Sequence, residues 1–480
     1  MAVGEFGDGG APMKSLILLP DGVGIRNFLC TRFVEHLLAE GDVLIWHALS
    51  PLCIAEHQSR LGDRVQWEPL PAHREPRLAQ VLRLAKTAAQ LRWRRRNGHA
   101  LPSIERTRRA GGWRSRALRR TAQGLGALFG TQRGAVLLHR AHGFAVSHSP
   151  GLAPFTEYLR RHSPDVVFCT HQRASSALPA MAAARRLGIP TATFIYSWDN
   201  LPKDRMAVHA DAFLVWSHYM KDELLECYPE VHPDDVYVVG TPQFEHYFNP
   251  ALIEPREVFL QRLGLDPKRP TVCFSGDDVT TSPHDPQYLA DLAESFRRLP
   301  GPGTPQILFR RFPVDISGRY GPTLERYPEV VASEPVWRYD DPGNWARVVP
   351  STADVALLAN VVHHCDAVVN VGSTMAMDFA ILGKPSIYIA YDPPGITGPW
   401  SVGEIYSYPH FRTVHKLQPV YWARSAEELG PLVLHALEHP LEKEAARRAW
   451  VSLQVAQPMD KASERCAAAL VHISKARRRG

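Results

Sequence analysis

The stretch DAVVNVGSTMAMDFAILGKPSIYI (366–389) concentrates residues whose types and spacing could do chemistry. Gly372 ends an apolar run at a point where backbone must come close to something, and Ser373 and Thr374 stand where a helix N-cap belongs. Backbone N–H groups and the positive end of the helix dipole make an anion site there, suited to a pyrophosphate. Asp378 follows one turn later on the same face, where a carboxylate can accept hydrogen bonds from both hydroxyls of a ribose. Gly383-Lys384-Pro385 then ends the helix and opens the next strand.

Other candidates follow from one rule. In open α/β sheets, ligands bind beyond the carboxyl ends of the strands. Ser275 and Gly276 end TVCFS (271–275), and their backbone is expected near the same anion. Arg310 and Arg311 end QILFR (306–310) and could neutralise a diphosphate bidentately. On the other half of the chain the rule selects three candidate bases: Asp21 after KSLILLP, Asp199 after TATFIY and His171 after DVVFCT. Asp21 ranks first, because Ser-Trp-Asp-Asn around Asp199 is also turn chemistry. The loop with Gly22 and Gly24, followed by Arg26 and Asn27, is expected to receive a second substrate. Glu245 lies near the domain junction, as a cleft residue or a hinge hydrogen bond. Asp277-Asp278 is not a D-x-D pair, and His363-His364-Cys365 diverge by about 100° per residue on a helix. No metal and no bound cofactor are expected.

These residues need two sheets to hold them. Apolar runs at 14–20, 42–47, 165–170, 191–196, 212–216 and 235–240 alternate with helical stretches, and the pattern restarts at 271–275, 306–310, 366–370 and 386–390. Continuous runs of this kind suit strands buried on both faces of a parallel sheet. The chain is therefore read as α/β, with a leader at 1–12, a first Rossmann-like domain at 13–245, a second at 246–455 and a closing helix and basic tail at 456–480. At 45% hydrophobic and 22% charged, the composition is that of a soluble globular protein. The start lacks a signal-peptide pattern, and seven scattered cysteines suggest reduced thiols. A cytoplasmic protein, or one peripheral on the inner membrane face, is expected.

The net charge of +6 is uneven. Residues 76–140 hold sixteen Arg and Lys against the single acid Glu105, leaving an acidic remainder. Nucleic acid is not an expected partner. Residues 91–120 could lie on an anionic membrane surface, bind an acidic glycan or acidic partner, or form a solvated helical excursion.

The turn at 372–374, with Asp378 and Gly383-Lys384-Pro385, resembles the donor-binding turn of GT-B glycosyltransferases and of the related UDP-N-acetylglucosamine 2-epimerases. DVALLANVVHHCD (354–366), SWDNLPKD (197–204), VGTPQFE (239–245) and QPMDKASERCAAAL (457–470) resemble segments of bacterial transferases that build surface polysaccharides. The resemblance implies a GT-B fold of two doubly wound domains facing a cleft. It implies a nucleotide-sugar co-substrate, and a glycan or lipid-linked acceptor. Ser373, Thr374 and Asp378 fall on the diphosphate and ribose positions, with Asp in place of the commoner Glu. PDGVGIRN (20–27) and FSGDDVTT (274–281) depart from the epimerase loops. A glycerol-phosphate transferase and a silent nucleotide-sugar-binding relative remain alternatives on this fold.

Overall fold

Runs of Val, Ile, Leu and Phe bounded by Gly, Pro and Asp set two parallel sheets. The computed structural model describes residues 12–98, 113–299, 301, 303–339, 348–396, 398 and 400–476. Most of the leader, the last four residues of the tail, and Arg106, Arg108 and Arg109 of the basic segment lie outside them.

The first sheet contains β1 (Met13–Leu19), β2 (Gly41–His47), β3 (Val65–Pro69), β4 (Val166–Cys169), β5 (Thr191–Phe194), β6 (Ala212–Val215) and β7 (Val236–Val238), in the order β3-β2-β1-β4-β5-β6-β7. The second contains β8 (Thr271–Ser275), β9 (Gln306–Arg310), β10 (Val331–Ser333), β13 (Ala367–Asn370), β14 (Ser386–Ile389) and β15 (Tyr421–Ala423), in the order β10-β9-β8-β13-β14-β15. Every pairing in both sheets is parallel. A separate antiparallel hairpin pairs β11 (Trp337–Tyr339) with β12 (Val348–Pro350). The sequence reading finds the central strands and misses β3, β10, β15 and the hairpin. β3 and β10 are partly exposed edge strands, and β15 and both hairpin strands are three residues long, too short to show a pattern.

The described parts of the basic segment form a folded layer, not a solvated excursion. Helices Arg77–Arg96, Trp113–Leu128 and Gln132–Ser147 pack together over a small core of Ala85, Ala89, Ala122, Ala135 and Leu138. A Cβ on Gly126 would fall 2.5 Å from the Cβ of Ala88, so glycine sets the approach of the first two helices. Lys86 and Arg94 are fully buried. Arg94 Nη1 donates to the Leu201 carbonyl at 3.1 Å, which removes this residue from any surface the segment offers to a membrane or partner.

The helix Ala462–Ala476 returns to the first domain and packs on the helix Phe33–Glu40 and on β4 and β6. All seven cysteines are free thiols, six of them buried. No helix among the described residues is long and apolar enough to cross a membrane.

Candidate functional site

A cavity of ≈ 600 Å³ lies between the domains. Its walls are the loops after β5, β8, β9 and β13, with Arg26 and the aromatic segment 405–411. A larger cavity of ≈ 890 Å³ includes Pro190, Asp211 and Asp235, at the amino ends of β5, β6 and β7. The strand-end rule assigns ligands to the opposite side, so the interdomain cavity is the candidate site.

Arg310, the last residue of β9, is 5% exposed. Its Nη2 donates to both oxygens of Asp354 at 3.0 and 2.9 Å. Asp354 is itself fixed by the Val336 amide at 2.9 Å and the Trp337 indole at 2.6 Å. Arg310 Nη1 is buried and has no hydrogen-bond partner among the described residues. The result is a pre-aimed guanidinium with a donor left over on the cavity wall. Arg311 also lines the cavity, but its Nε donates to Glu334 at 2.9 Å and its Nη1 to the Asp315 carbonyl.

Ser275 and Gly276 line the same wall. A Cβ on Gly276 would fall 2.5 Å from the Tyr320 hydroxyl oxygen, so the missing side chain makes room for that ring. Gly372 has φ +62°, and a Cβ there would fall 2.7 Å from Phe411 Cζ. What its backbone comes close to is an aromatic side chain of the same domain. Helix Met375–Ile381 begins after Thr374, which caps it without a side-chain bond. The Ser373 amide donates to Asn370 Oδ1 at 2.8 Å, and Thr374 Oγ1 accepts from the Trp198 indole of the first domain at 3.3 Å. Both hydroxyl residues face the cavity wall.

Asp378 lines the cavity at 3% exposure. Its Oδ1 accepts from the Tyr247 hydroxyl at 2.7 Å and lies 3.9 Å from Arg26 Nη2. Burial raises its carboxyl above the usual range, against Arg26 and Tyr247. Oδ2 and the second lone pair of Oδ1 leave acceptor sites for ribose hydroxyls while Tyr247 stays in place. Arg26, expected on the acceptor side, instead reaches the donor-side carboxylate.

Of the three candidate bases, Asp199 alone lines the cavity. Burial pushes its carboxyl up, but Lys203, His410 and Ser197 outweigh this and hold it well below the usual range. It accepts from Ser197 Oγ at 2.6 Å, from Asn200 Nδ2 at 3.0 Å and from Lys203. A carboxylate so well satisfied is a weak proton acceptor. Asp21 and His171 form a pair: His171 Nδ1 and Asp21 Oδ2 are 2.6 Å apart, both residues are buried, and Asp21 Oδ1 accepts from the Val23 amide at 3.1 Å. The carboxylate fixes the proton on Nδ1 and makes Nε2 the basic nitrogen. The pair sits behind Tyr196, whose ring meets His171 edge-on at 4.6 Å and lines the cavity.

The first-domain loop serves packing more than substrate approach. A Cβ on Gly22 would fall 2.7 Å from the Val348 carbonyl of β12, and one on Gly24 would fall 2.4 Å from Thr170 Oγ1. Asn27 is buried and does not line the cavity. His363 and His364 turn their Nε2 atoms to the Tyr247 and Glu254 carbonyls, each at 2.8 Å. Sequence reasoning missed Trp198, Lys203, Arg173 and His410, all on the cavity wall. The i,i+4 spacing of Asp199 and Lys203 was a readable signal. Asp277 is held well above the usual carboxyl range by burial, Asp278 and Asp285.

Two doubly wound parallel sheets facing a cleft at their strand ends define the GT-B fold. Residues 132–242 match the model of Glycosyltransferase Family 4. A 74-residue stretch, 15% of this chain, is 40% identical to alpha-maltose-1-phosphate synthase of Mycolicibacterium smegmatis, and it spans only 19% of that relative's length. A glycosyltransferase from Rickettsia africae superposes with TM-score 0.52 at 11% identity, covering 97% of this chain and 100% of its own. UDP-N-acetylglucosamine 2-epimerase from Rickettsia bellii gives 0.51 at 13% identity, covering 97% of each chain. UDP-GlcNAc 2-epimerase from Neisseria meningitidis bound to UDP-GlcNAc gives 0.50 at 10%, over 96% of this chain and 100% of its own. These structural likenesses show the fold.

Proposed function

We propose that the protein transfers a sugar from a nucleotide diphosphate to an acceptor hydroxyl in the interdomain cleft. The observation that carries the reading is Arg310, clamped by Asp354 and left with a buried unpaired Nη1, on the wall of the cavity that Gly372, Ser373 and Thr374 also line. A buried cationic donor without an acceptor is costly, and a leaving diphosphate would supply that acceptor. The bond from the sugar carbon to the diphosphate oxygen breaks and one to the acceptor oxygen forms. The acceptor proton passes to His171, oriented by Asp21, once the Tyr196 ring that separates the pair from the cavity yields to the acceptor. Asp378 and Tyr247 take the ribose end, and Arg26 adds charge from the first domain. Ser275 and Gly276 bring backbone near the donor. A glycan or lipid-linked acceptor, in surface polysaccharide or glycoconjugate synthesis, fits the reading. The glycosyltransferase-family match in the first domain favours it over epimerisation, which the same donor wall could serve.

Incubation with UDP-, GDP-, CDP- and dTDP-sugars, with nucleotide release and sugar epimerisation both followed, tests the reading. Release with one donor is expected, falling about a hundredfold or more in His171→Ala with donor affinity retained. Epimerised sugar without release would transfer the assignment to an epimerase. Unchanged turnover in His171→Ala would pass the base role to Asp277.

A further inference from the structure

A third cavity, of ≈ 500 Å³, opens between helices Arg77–Arg96 and Trp113–Leu128. Arg173, two residues beyond His171, belongs to its wall and to that of the interdomain cavity. Part of the lining is apolar, from Leu84, Ala88, Leu91 and Ala122. The rest is cationic: Arg83, Arg92, Arg95, Arg119, Arg173 and Arg205, with Asp204 the one acid among the lining residues.

Four of these arginines have partners, Arg95 among them. Arg83 donates to Glu75 at 2.9 and 2.8 Å, Arg173 to Asp204 at 3.0 Å, and Arg205 to Gln90 at 2.7 Å and to Glu230. Arg92 and Arg119 form no ion pair among the described residues. Arg119 Nη1 is buried without a hydrogen-bond acceptor. Burying such a donor is unfavourable unless an anion completes it, and guanidinium pairs suit phosphate oxygens. Arg119 lies far in sequence from the cleft, yet its cavity and the cleft border opposite parts of one side chain, Arg173, so a ligand spanning both would have to displace it.

We propose that this cavity binds a phosphate ester or diphosphate on the acceptor, held by Arg92 and Arg119, with the reactive hydroxyl extending past Arg173 into the cleft. The proposal rests on the transferase reading for its acceptor role. The phosphate could come from a lipid headgroup or from a soluble sugar phosphate. Calorimetric titration with inorganic pyrophosphate tests it. The intact chain is expected to take two equivalents, one in each cavity. Arg92→Ala/Arg119→Ala should weaken one site at least about tenfold and leave the other, and Arg310→Ala should do the reverse. Arg92→Lys/Arg119→Lys, with charge kept, should retain most of the affinity. Loss of the Arg310 site alone from the wild-type isotherm would count against the donor reading and not against this one. Identical isotherms for wild type and Arg92→Ala/Arg119→Ala overturn the proposal. Competition then separates the sources: displacement by dodecyl phosphate indicates a lipid, and displacement by glucose 1-phosphate a soluble acceptor. Failure of both to displace pyrophosphate overturns the acceptor role.

Discussion

Arg310 and Arg94 are both buried arginines, one on the donor wall and one in the helical layer of the first domain. Arg310 is clamped by a carboxylate that is itself fixed, which leaves Nη1 for a ligand. Arg94 has its Nη1 on a backbone carbonyl, keeps Nε and Nη2 buried without a hydrogen-bond partner among the described residues, borders none of the cavities above, and lies near Glu223, whose carboxyl burial raises to about 7 against Arg412 and Arg94. It ties the layer to the loop after β5. Under the proposed function, bordering the interdomain cavity, more than membership of a basic run, separates a binding role from a packing one.

Three substitutions test that contrast. Arg310→Ala should cost the most, about 2–4 kcal/mol of transition-state stabilisation, or roughly thirty- to a thousandfold in kcat/KM. Steady-state kinetics with nucleotide-binding calorimetry checks it, and unchanged donor affinity would break the contrast. Arg94→Ala should cost about 2–3 kcal/mol of folding stability through the void it leaves, with donor affinity within twofold. The exposed Arg116→Ala should stay within about 0.5 kcal/mol by the same denaturant titration.

A pH-dependent effect lies at the seam between the regions. Glu245 accepts from Ser463 Oγ at 2.7 Å and from the Ser463 amide, and burial pushes its carboxyl up from 4.5 to about 7 against those bonds. The folded chain thus keeps a proton that the unfolded chain releases, and stability falls as pH rises from about 4.5 to 7. Glu245→Gln removes this contribution. Its Tm advantage over wild type should grow between pH 5 and pH 7 and level off above. A constant difference across that range would assign the shift elsewhere.

The turn beyond β13 and the strands of the second sheet were legible because their signals are local. A parallel strand buried on both faces is an apolar run, and the turn beyond β13 carries its glycine in sequence. Arg26 reaching Asp378, or Gly22 receiving the Val348 carbonyl, joins residues more than 300 positions apart, and no spacing announces it. The helical layer was illegible for another reason. Its core is alanine and glycine, so the arginines dominate the composition while Ala85, Ala89 and Gly126 set the packing.

The chain passes between domains twice, once through 239–256 and again through 454–462 before the last helix rejoins the first sheet. The two passages touch: Arg465 Nε donates to the Val239 carbonyl at 2.9 Å, and Glu245 holds Ser463. One tether would let the domains swivel like a ball joint. Two tethers laced together at one place leave a door on a single line of hinges, so opening the cleft separates Trp198 from Thr374 and Arg26 from Asp378 in the same swing.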